Sequence, residues 1–208
     1  SMPGQNEFIS SVFLLFILLN PFLVIIYIIN LVQKSSLSEF LKIVLRAGVI
    51  SFVVFTIFAL TKSLIFTKII QVNFASFQIF GGIIFLFIGI KFVFSGVDAI
   101  EMLRGKPQQI VGALTMPIFI GPGSISASIV IGERLEKFAA IGAVFFGVFL
   151  SLLVLILLKI LHDYISTRNE KLIERYIEIT GRITALIVGT FSIEMIMLGL
   201  KSWRSIIS

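Results

Sequence analysis

Long apolar runs without a charged side chain recur along the chain and predict its secondary structure. The first run covers residues 8–33 and the fourth covers residues 107–132. At a helical rise of about 1.5 Å per residue, each is long enough to cross a bilayer. Membrane-spanning β-strands alternate apolar and polar residues over about half this length, so β-spans are excluded. The pattern predicts six transmembrane helices, over residues 8–33, 47–61, 69–90, 107–132, 138–158 and 177–200.

The composition agrees with an integral membrane protein. Hydrophobic residues make up 58% of the 208 residues and charged residues only 13%, whereas about 25% of the residues in a soluble domain are charged. The net charge of +6 would otherwise suggest a nucleic-acid partner. Because the basic residues lie in short loops between apolar runs, we assign them to membrane topology instead. Membrane lipid is therefore an expected partner, and nucleic acid is not.

The side chains that most enzymes use are scarce. The chain has no cysteine and a single histidine, His162, which has no neighbour at metal-ligand spacing. No pairing of a nucleophile with a base and no phosphate-binding loop is recognisable. We expect no enzymatic activity, no cofactor and no metal site.

Charged residues between the runs predict the orientation of the chain. The loops between spans 1 and 2, 3 and 4, and 5 and 6 share one side, which holds 11 of the 17 basic residues; the other side holds 6. Positive loops face the cytoplasm, which places both termini outside it in a multi-pass protein of the cell membrane. Residues 165–179 set apolar residues at helical spacing among charged ones, which predicts a separate interfacial helix.

The two halves of the chain resemble each other. Residues 77–89 align with residues 177–189 at an offset of 100, and Asn20-Pro21 aligns with Gly121-Pro122 at an offset of 101. Because each half contains three spans, an odd number, the second half must be inverted relative to the first. Such inverted repeats are typical of secondary transporters. The predicted units are a first repeat, a connecting loop and a second, inverted repeat, over residues 8–97, 98–109 and 110–203.

The first and fourth spans are each interrupted near the centre. Proline lacks an N–H and clashes with the preceding turn, and interrupted backbone at membrane depth is tolerated only inside protein or beside a watery cavity. A half-helix that begins there directs free N–H groups at an anion such as a carboxylate. The carbonyl groups that the break releases suit an ammonium group. Together the breaks predict a site for a small zwitterion near the midplane.

Further residues are assigned to this site. Ser124 is expected to be the N-cap of the half-helix that follows the second break, and Asn20 is expected to cap the second half of the first span. Glu194, the only acidic residue well inside a predicted span, is the candidate for ion coupling. The predicted substrate-binding residues are Asn20, Pro21, Gly81, Gly82, Thr115, Gly121, Pro122, Gly123, Ser124 and Gly181.

These features also have purely structural alternatives. Prolines often kink packed membrane helices without forming a site. Glycines allow close helix packing whether or not a ligand is present. Glu194 would also fit a simple interhelical salt bridge, and hydroxyl groups such as that of Thr115 often bond to their own helix.

Four motifs resemble those of the MarC family, which includes the SnatA small neutral amino acid transporters. The resemblance implies a six-helix transporter of two inverted halves that moves glycine, alanine or similar amino acids, coupled to a proton or sodium gradient. The chain departs from the family pattern after Pro21, where Phe22-Leu-Val-Ile-Ile-Tyr27 replaces a Gly-x-x-Pro pattern, and at Lys91 and Glu194. The motifs are Asn20-Pro21, Phe77-x-Ile-x-Gly-Gly82, Pro117-x-x-x-Gly-Pro-Gly-Ser-Ile125 and Glu194-Met-Ile-x-x-Gly-Leu-Lys201.

The favoured function is transport of small neutral amino acids by alternating access, with the substrate held between the breaks of spans 1 and 4. Two alternatives stay open: a channel or exporter for another small solute or ion, and a membrane scaffold without transport. The direction of transport, the coupling ion and the formation of a homo-oligomer are left open.

Overall fold

The computed structural model describes residues 3–95, 120–166 and 170–207. Within these ranges the chain is helical and contains no strand, which confirms the prediction of an all-α membrane protein. The elements are α1 (Pro3–Leu19), α2 (Pro21–Tyr27), α3 (Ile29–Lys34), α4 (Leu37–Thr61), a π-helix (Ile65–Ile70), α5 (Phe74–Ser95), α6 (Pro122–Arg134), α7 (Lys137–Ser166) and α8 (Glu170–Ile207).

Four stretches of helix are long and apolar enough to cross a membrane: Leu37–Thr61, Phe74–Lys91, Lys137–Ser166 and Glu178–Ile206. They correspond to the predicted spans 2, 3, 5 and 6. The predicted first span is divided among α1, α2 and α3, none of which reaches that length alone. The predicted fourth span contributes α6, while its first part, residues 107–119, and the predicted connecting loop lie outside the described residues.

Helix α4 begins ten residues before the predicted start of span 2, at Leu37 rather than at residue 47. Its N-terminus is fixed by a capping box. The Ser36 side chain accepts a hydrogen bond from the Glu39 N–H at 3.3 Å, and Glu39 Oε2 accepts from the Ser36 N–H at 2.9 Å. Such a box satisfies two N–H groups that the first turn of a helix leaves without acceptors. The basic residues Lys42 and Arg46 are accommodated on the exposed side of α4.

Helix α5 begins later than predicted, at Phe74 rather than at residue 69. The preceding residues form the π-helix, which ends at Gln71 with a left-handed φ of 56°. Asn73 then caps α5, because its Oδ1 accepts a hydrogen bond from the Ala75 N–H at 3.0 Å. The π-helix is held by Phe66, whose ring centroid lies 4.8 Å from that of Phe77.

The structure shows how two charged segments are placed. Residues 165–179, predicted to form an interfacial helix, are divided: residues 165 and 166 end α7, and residues 170–179 are the first turns of α8. Helix α7 continues to Ser166, so Lys159, which was assigned to a loop, lies within the helix and is only 2% exposed.

The hydrophobic core lies where α1, α4, α6 and α7 meet. Small residues bring these helices together. A β-carbon on Gly147 of α7 would lie 3.0 Å from Leu15 Cδ2 of α1, and one on Gly48 of α4 would overlap the Leu152 side chain of α7. On α7, the rings of Phe145, Phe146 and Phe149 are half exposed. Apolar side chains are therefore directed both inward and towards the surroundings, as expected for helices in lipid.

Helices α5 and α8 form an antiparallel pair with direct backbone contact. A β-carbon on Gly199 would lie 2.9 Å from the Ala75 carbonyl oxygen, and one on Gly82 would lie 2.7 Å from the Ser192 carbonyl oxygen. Further along, a β-carbon on Gly89 would lie 3.1 Å from the Gly189 nitrogen. Glycines at successive positions thus allow the two helices to approach along their length.

A pair of glycine substitutions tests the close packing of α6 on α4. The variant Gly132→Ala should lower the thermal unfolding temperature in detergent, because its β-carbon would overlap the Ala59 carbonyl group. Overpacking of this kind costs about 1–3 kcal/mol. Gly189→Ala is the matched control, since nothing lies within 4 Å of its added carbon and alanine favours a helix by about 1 kcal/mol. Equal unfolding temperatures for the two variants would contradict the packing described.

Candidate functional site

The first span is interrupted at Asn20, between α1 and α2. Asn20 has a left-handed φ of 45°, a conformation that asparagine tolerates better than most residues do. Its N–H donates to the Phe16 carbonyl at 3.1 Å, and its own carbonyl accepts from the Val24 N–H at 3.0 Å. Pro21 begins α2 and cannot offer an N–H to the carbonyl four residues earlier. The break is therefore one residue wide, with helical hydrogen bonds on both sides.

The predicted break in the fourth span, called the second break below, falls at Gly121, which is the N-cap of α6 and has extended backbone, with φ −133° and ψ 173°; the first part of that span lies outside the described residues. Pro122 is the first helical residue, a position at which proline is favoured. The Gly121 carbonyl accepts from the Ile125 N–H at 3.0 Å and so starts the helix.

Ser124 does not occupy the predicted N-cap position. It is the third residue of α6, and its side chain reaches back to Gly121, whose N–H donates to Ser124 Oγ at 3.0 Å. The prediction failed because Pro122 lacks an N–H and so moves the helix start to its own position, which leaves Gly121 as the cap. Ser124 is nevertheless buried, and so is Ser128, which lies one turn later and donates to the Ser124 carbonyl at 2.7 Å.

The two breaks lie close to each other. Helix α1 packs against α6, and a β-carbon on Gly123 would lie 3.7 Å from Leu18 Cδ2, two residues before Asn20. The Phe85 ring of α5 closes the space from another side. A β-carbon on Gly123 would lie 3.2 Å from Phe85 Cε2, and one on Gly121 would lie 3.4 Å from Phe85 Cζ.

The predicted glycines of α5 face two different neighbours. A β-carbon on Gly81 would overlap Pro122 Cβ, so Gly81 lies directly against the second break. Gly82 instead faces α8, where its added carbon would lie 2.6 Å from Ile196 Cγ1. Gly81 therefore belongs to the surroundings of the break, whereas the described contacts of Gly82 are those of helix packing.

Several buried hydroxyl groups surround α6. Ser11 of α1, Ser51 of α4 and Ser126 of α6 are each at most 8% exposed. Their Oγ atoms have no hydrogen-bond partner among the described residues, although buried polar groups are normally paired. Because α6 packs against both α1 and α4, these hydroxyl groups lie in one set of packed helices.

The described contacts do not join the remaining predicted residues to the breaks. Glu194 lies within the membrane span of α8 with an exposed side chain, between the buried Ser192 and Met195. Gly181 lies in the first part of α8, and its surroundings are outside the described residues, as is Thr115. In the described part of the chain, no group of three or more acidic or histidine side chains could hold a metal ion.

Two residues near functional features were not predicted. Phe85 touches both sides of the second break, and its position one turn after Gly81 on α5 was a signal, because residues four apart share a helix face. Lys159 gave no comparable signal. It follows an apolar run directly, as a loop lysine would, and only the packing of α3 on α7 shows that it is buried.

Comparisons with known proteins agree on one family. The model of the family described as MarC family integral membrane protein matches residues 5–204. The chain is 27% identical to a UPF0056 membrane protein of Aquifex aeolicus over 206 residues, covering 94% of this chain and 92% of the relative. It is 22% identical to a UPF0056 membrane protein of Buchnera aphidicola subsp. Schizaphis graminum, covering 96% and 98%. No solved structure matches the chain.

Two serine substitutions test the local structure of the second break. Ser124→Ala should lower the thermal unfolding temperature, because it removes the acceptor of the Gly121 N–H; an unpaired buried N–H costs about 1–3 kcal/mol. Ser128→Ala is the control and should change stability less, because Ser128 donates only to a carbonyl of its own helix. A larger loss in Ser128→Ala than in Ser124→Ala would refute this assignment.

Proposed function

The chain belongs to the MarC family of integral membrane proteins, and we propose that it is a secondary transporter of small neutral amino acids. The observation that carries the proposal is the contact of Leu18, beside the break at Asn20, with Gly123, at the start of α6. Discontinuous helices that meet near the midplane are the usual binding sites of secondary transporters. Alternating access would then expose the substrate to one side of the membrane at a time.

The chemistry at the second break suits the carboxylate of an amino acid. A helix that begins at Pro122 leaves the N–H groups of its first turn without acceptors inside the helix, and its N-terminal end carries partial positive charge. The break at Asn20 supplies backbone carbonyl groups that suit an ammonium group. Residues 107–132 contain no charged side chain, which favours a substrate without net charge.

The space at the second break favours a small substrate. The Phe85 ring lies 3.2 Å from the place that a β-carbon on Gly123 would take, and Pro122 lies directly against Gly81. These contacts leave little room for a large side chain. The buried hydroxyl groups of Ser11, Ser51 and Ser126 offer polar contacts without charge. Glycine and alanine fit these constraints best.

The packing of the helices supports the proposed inverted repeat. If α2, α4 and α5 correspond to α6, α7 and α8, each contact between the halves should have a counterpart. The contact of α4 with α6 is matched by that of α7 with α2, and the contact of α5 with α6 by that of α8 with α2. The contacts of α4 with α7 and of α5 with α8 are their own counterparts. Contacts within the halves do not all pair in this way.

The proposed orientation in the membrane and the proposed ion coupling are based on the positions of charged residues. Both termini are placed outside the cytoplasm, because 11 of the 17 basic residues lie on the opposite side. Coupling to a proton or a sodium ion is proposed, with Glu194 as the candidate, because it is an acidic side chain within the membrane span of α8.

Reconstitution into liposomes distinguishes the alternatives. A transporter should show saturable uptake of labelled glycine or alanine and should accelerate exchange when unlabelled amino acid is present on the opposite side. A channel for another small solute or ion would show neither saturation nor counterflow. A scaffold would show no flux. Failure with every small neutral amino acid, in both directions, would exclude the proposed function.

A size series at Gly123 tests the proposed binding site. Gly123→Leu should abolish uptake in liposomes, because its side chain would fill the space between Leu18 and Phe85. Gly123→Ala should retain part of the activity, since its single added carbon would require the Phe85 ring to move by only a few tenths of an ångström. Gel filtration and thermal unfolding check that both variants fold. Full activity in a folded Gly123→Leu variant would exclude this position from the substrate site.

A further inference from the structure

Lys159 is a buried cation outside the proposed substrate site. It lies in the last third of α7 and is 2% exposed. Burying an ammonium group is costly unless it is paired and hydrogen-bonded. A lysine in the loop region near a membrane surface would ordinarily extend into water. The burial of Lys159 therefore calls for a specific set of partners.

Three oxygen atoms supply these partners. Lys159 Nζ donates to the Val32 carbonyl at 2.5 Å, to the Ser35 carbonyl at 2.9 Å and to Asp163 Oδ1 at 2.7 Å. An ammonium group has three N–H donors and no acceptor, so each donor has one partner. Two of the three bonds cross from α7 to the corner between α3 and α4.

The capping box of α4 makes these two carbonyl groups available. In a continuous helix the Val32 carbonyl would accept from the N–H of residue 36, but the Ser36 N–H donates to Glu39 Oε2 at 2.9 Å. The Ser35 carbonyl would likewise accept from the N–H of residue 39, but the Glu39 N–H donates to Ser36 Oγ at 3.3 Å. The box thus leaves free the two carbonyl groups that Lys159 binds.

We propose that Lys159 is a positioning residue that holds the C-terminal end of the first span against α7 and acts as a releasable latch. This end belongs to α2–α3, the half of the first span that follows the break at Asn20. The left-handed residue separates this half from α1, so α2–α3 can move relative to α7 only if the Lys159 hydrogen bonds to Val32 and Ser35 are broken. A role of this latch in transport rests on the proposed function. The attachment of the first span to α7 by Lys159 does not depend on that function.

Cysteine labelling tests the latch, because the chain has no native cysteine. Val32 and Leu15 are both 0% exposed, so Val32→Cys reports on the corner and Leu15→Cys reports on the core. The rate of reaction with N-ethylmaleimide is measured for each in the folded protein. Adding Lys159→Met should raise the rate at Val32→Cys by at least about tenfold, since hydrogen bonds to a charged group are stronger than neutral ones. The rate at Leu15→Cys should not change.

Three further variants sharpen the test. Lys42→Met removes an exposed lysine from α4 and should leave both rates unchanged. Asp163→Asn, at a residue whose side chain is 44% exposed, removes one charged partner and should raise the rate at Val32→Cys less than Lys159→Met does. Ser36→Ala removes the acceptor of the Glu39 N–H and so weakens the capping box that fixes this corner; it should raise the rate in the native background and add little to Lys159→Met.

If Lys159→Met leaves the labelling rate at Val32→Cys unchanged, the latch is overturned. If it raises the rates at Val32→Cys and Leu15→Cys equally, the latch is also overturned, because the whole helix packing has then loosened. If Lys159→Met does not fold, Asp163→Asn is judged by the same two criteria. These rates are measured without substrate. A protein that transports no amino acid but shows the local rise at Val32→Cys would refute the proposed function and support the latch.

Discussion

Every interruption of a helix within a membrane raises the same requirement: the backbone groups that it releases need partners, because lipid provides none. Several features of this structure supply those hydrogen-bond partners. At Asn20 the hydrogen bonds on both sides of the break are kept, and a single left-handed residue changes the direction of the chain. At Gly121 the backbone is extended, and the Ser124 side chain bonds the N–H of the cap.

The corner between the first and second spans meets the requirement in another way. The capping box at Ser36 and Glu39 satisfies the N–H groups at the start of α4, and the Lys159 ammonium group satisfies the carbonyl groups at the end of the first span. The Glu39 carboxylate accepts a hydrogen bond at the start of α4, and the Lys159 ammonium group donates hydrogen bonds at the end of the first span. Of these two charged groups, Glu39 is exposed and Lys159 is buried inside the protein.

Sequence patterns predicted the structure correctly where it depends on residues that are close together in the chain. Apolar runs predicted the helical class and the four described spans. Asn20-Pro21 predicted the first break and Gly121-Pro122 marks the start of α6, because these residues act on their own backbone. The N-cap at Ser124 was wrong because two local rules competed, and Pro122 decided the helix start. The start of α4 was placed ten residues too late because the charged side chains of Lys42 and Arg46 interrupt the apolar pattern from which the span was predicted.

Features that depend on distant contacts were not predictable from the sequence. Nothing in the residues around Lys159 indicates that carbonyl groups more than 120 positions earlier would surround it. The contact of Phe85 with the second break depends on how α5 packs against α6. The family resemblance agreed with the comparisons, but it concerns motifs and gives no information on these contacts.

The length of α8 has a mechanical consequence. Its 38 residues extend for about 57 Å at about 1.5 Å per residue, which is nearly twice the hydrocarbon thickness of about 30 Å. The charged first turns, residues 170–177, precede the stretch Glu178–Ile206 that is apolar enough to cross the membrane, and they therefore form an arm outside the hydrocarbon layer. Because Gly82, Gly89 and Gly199 bring α5 and α8 into backbone contact, tilting this arm would also tilt the helix that bears Gly81 and Phe85, and so would change the width of the space at the second break.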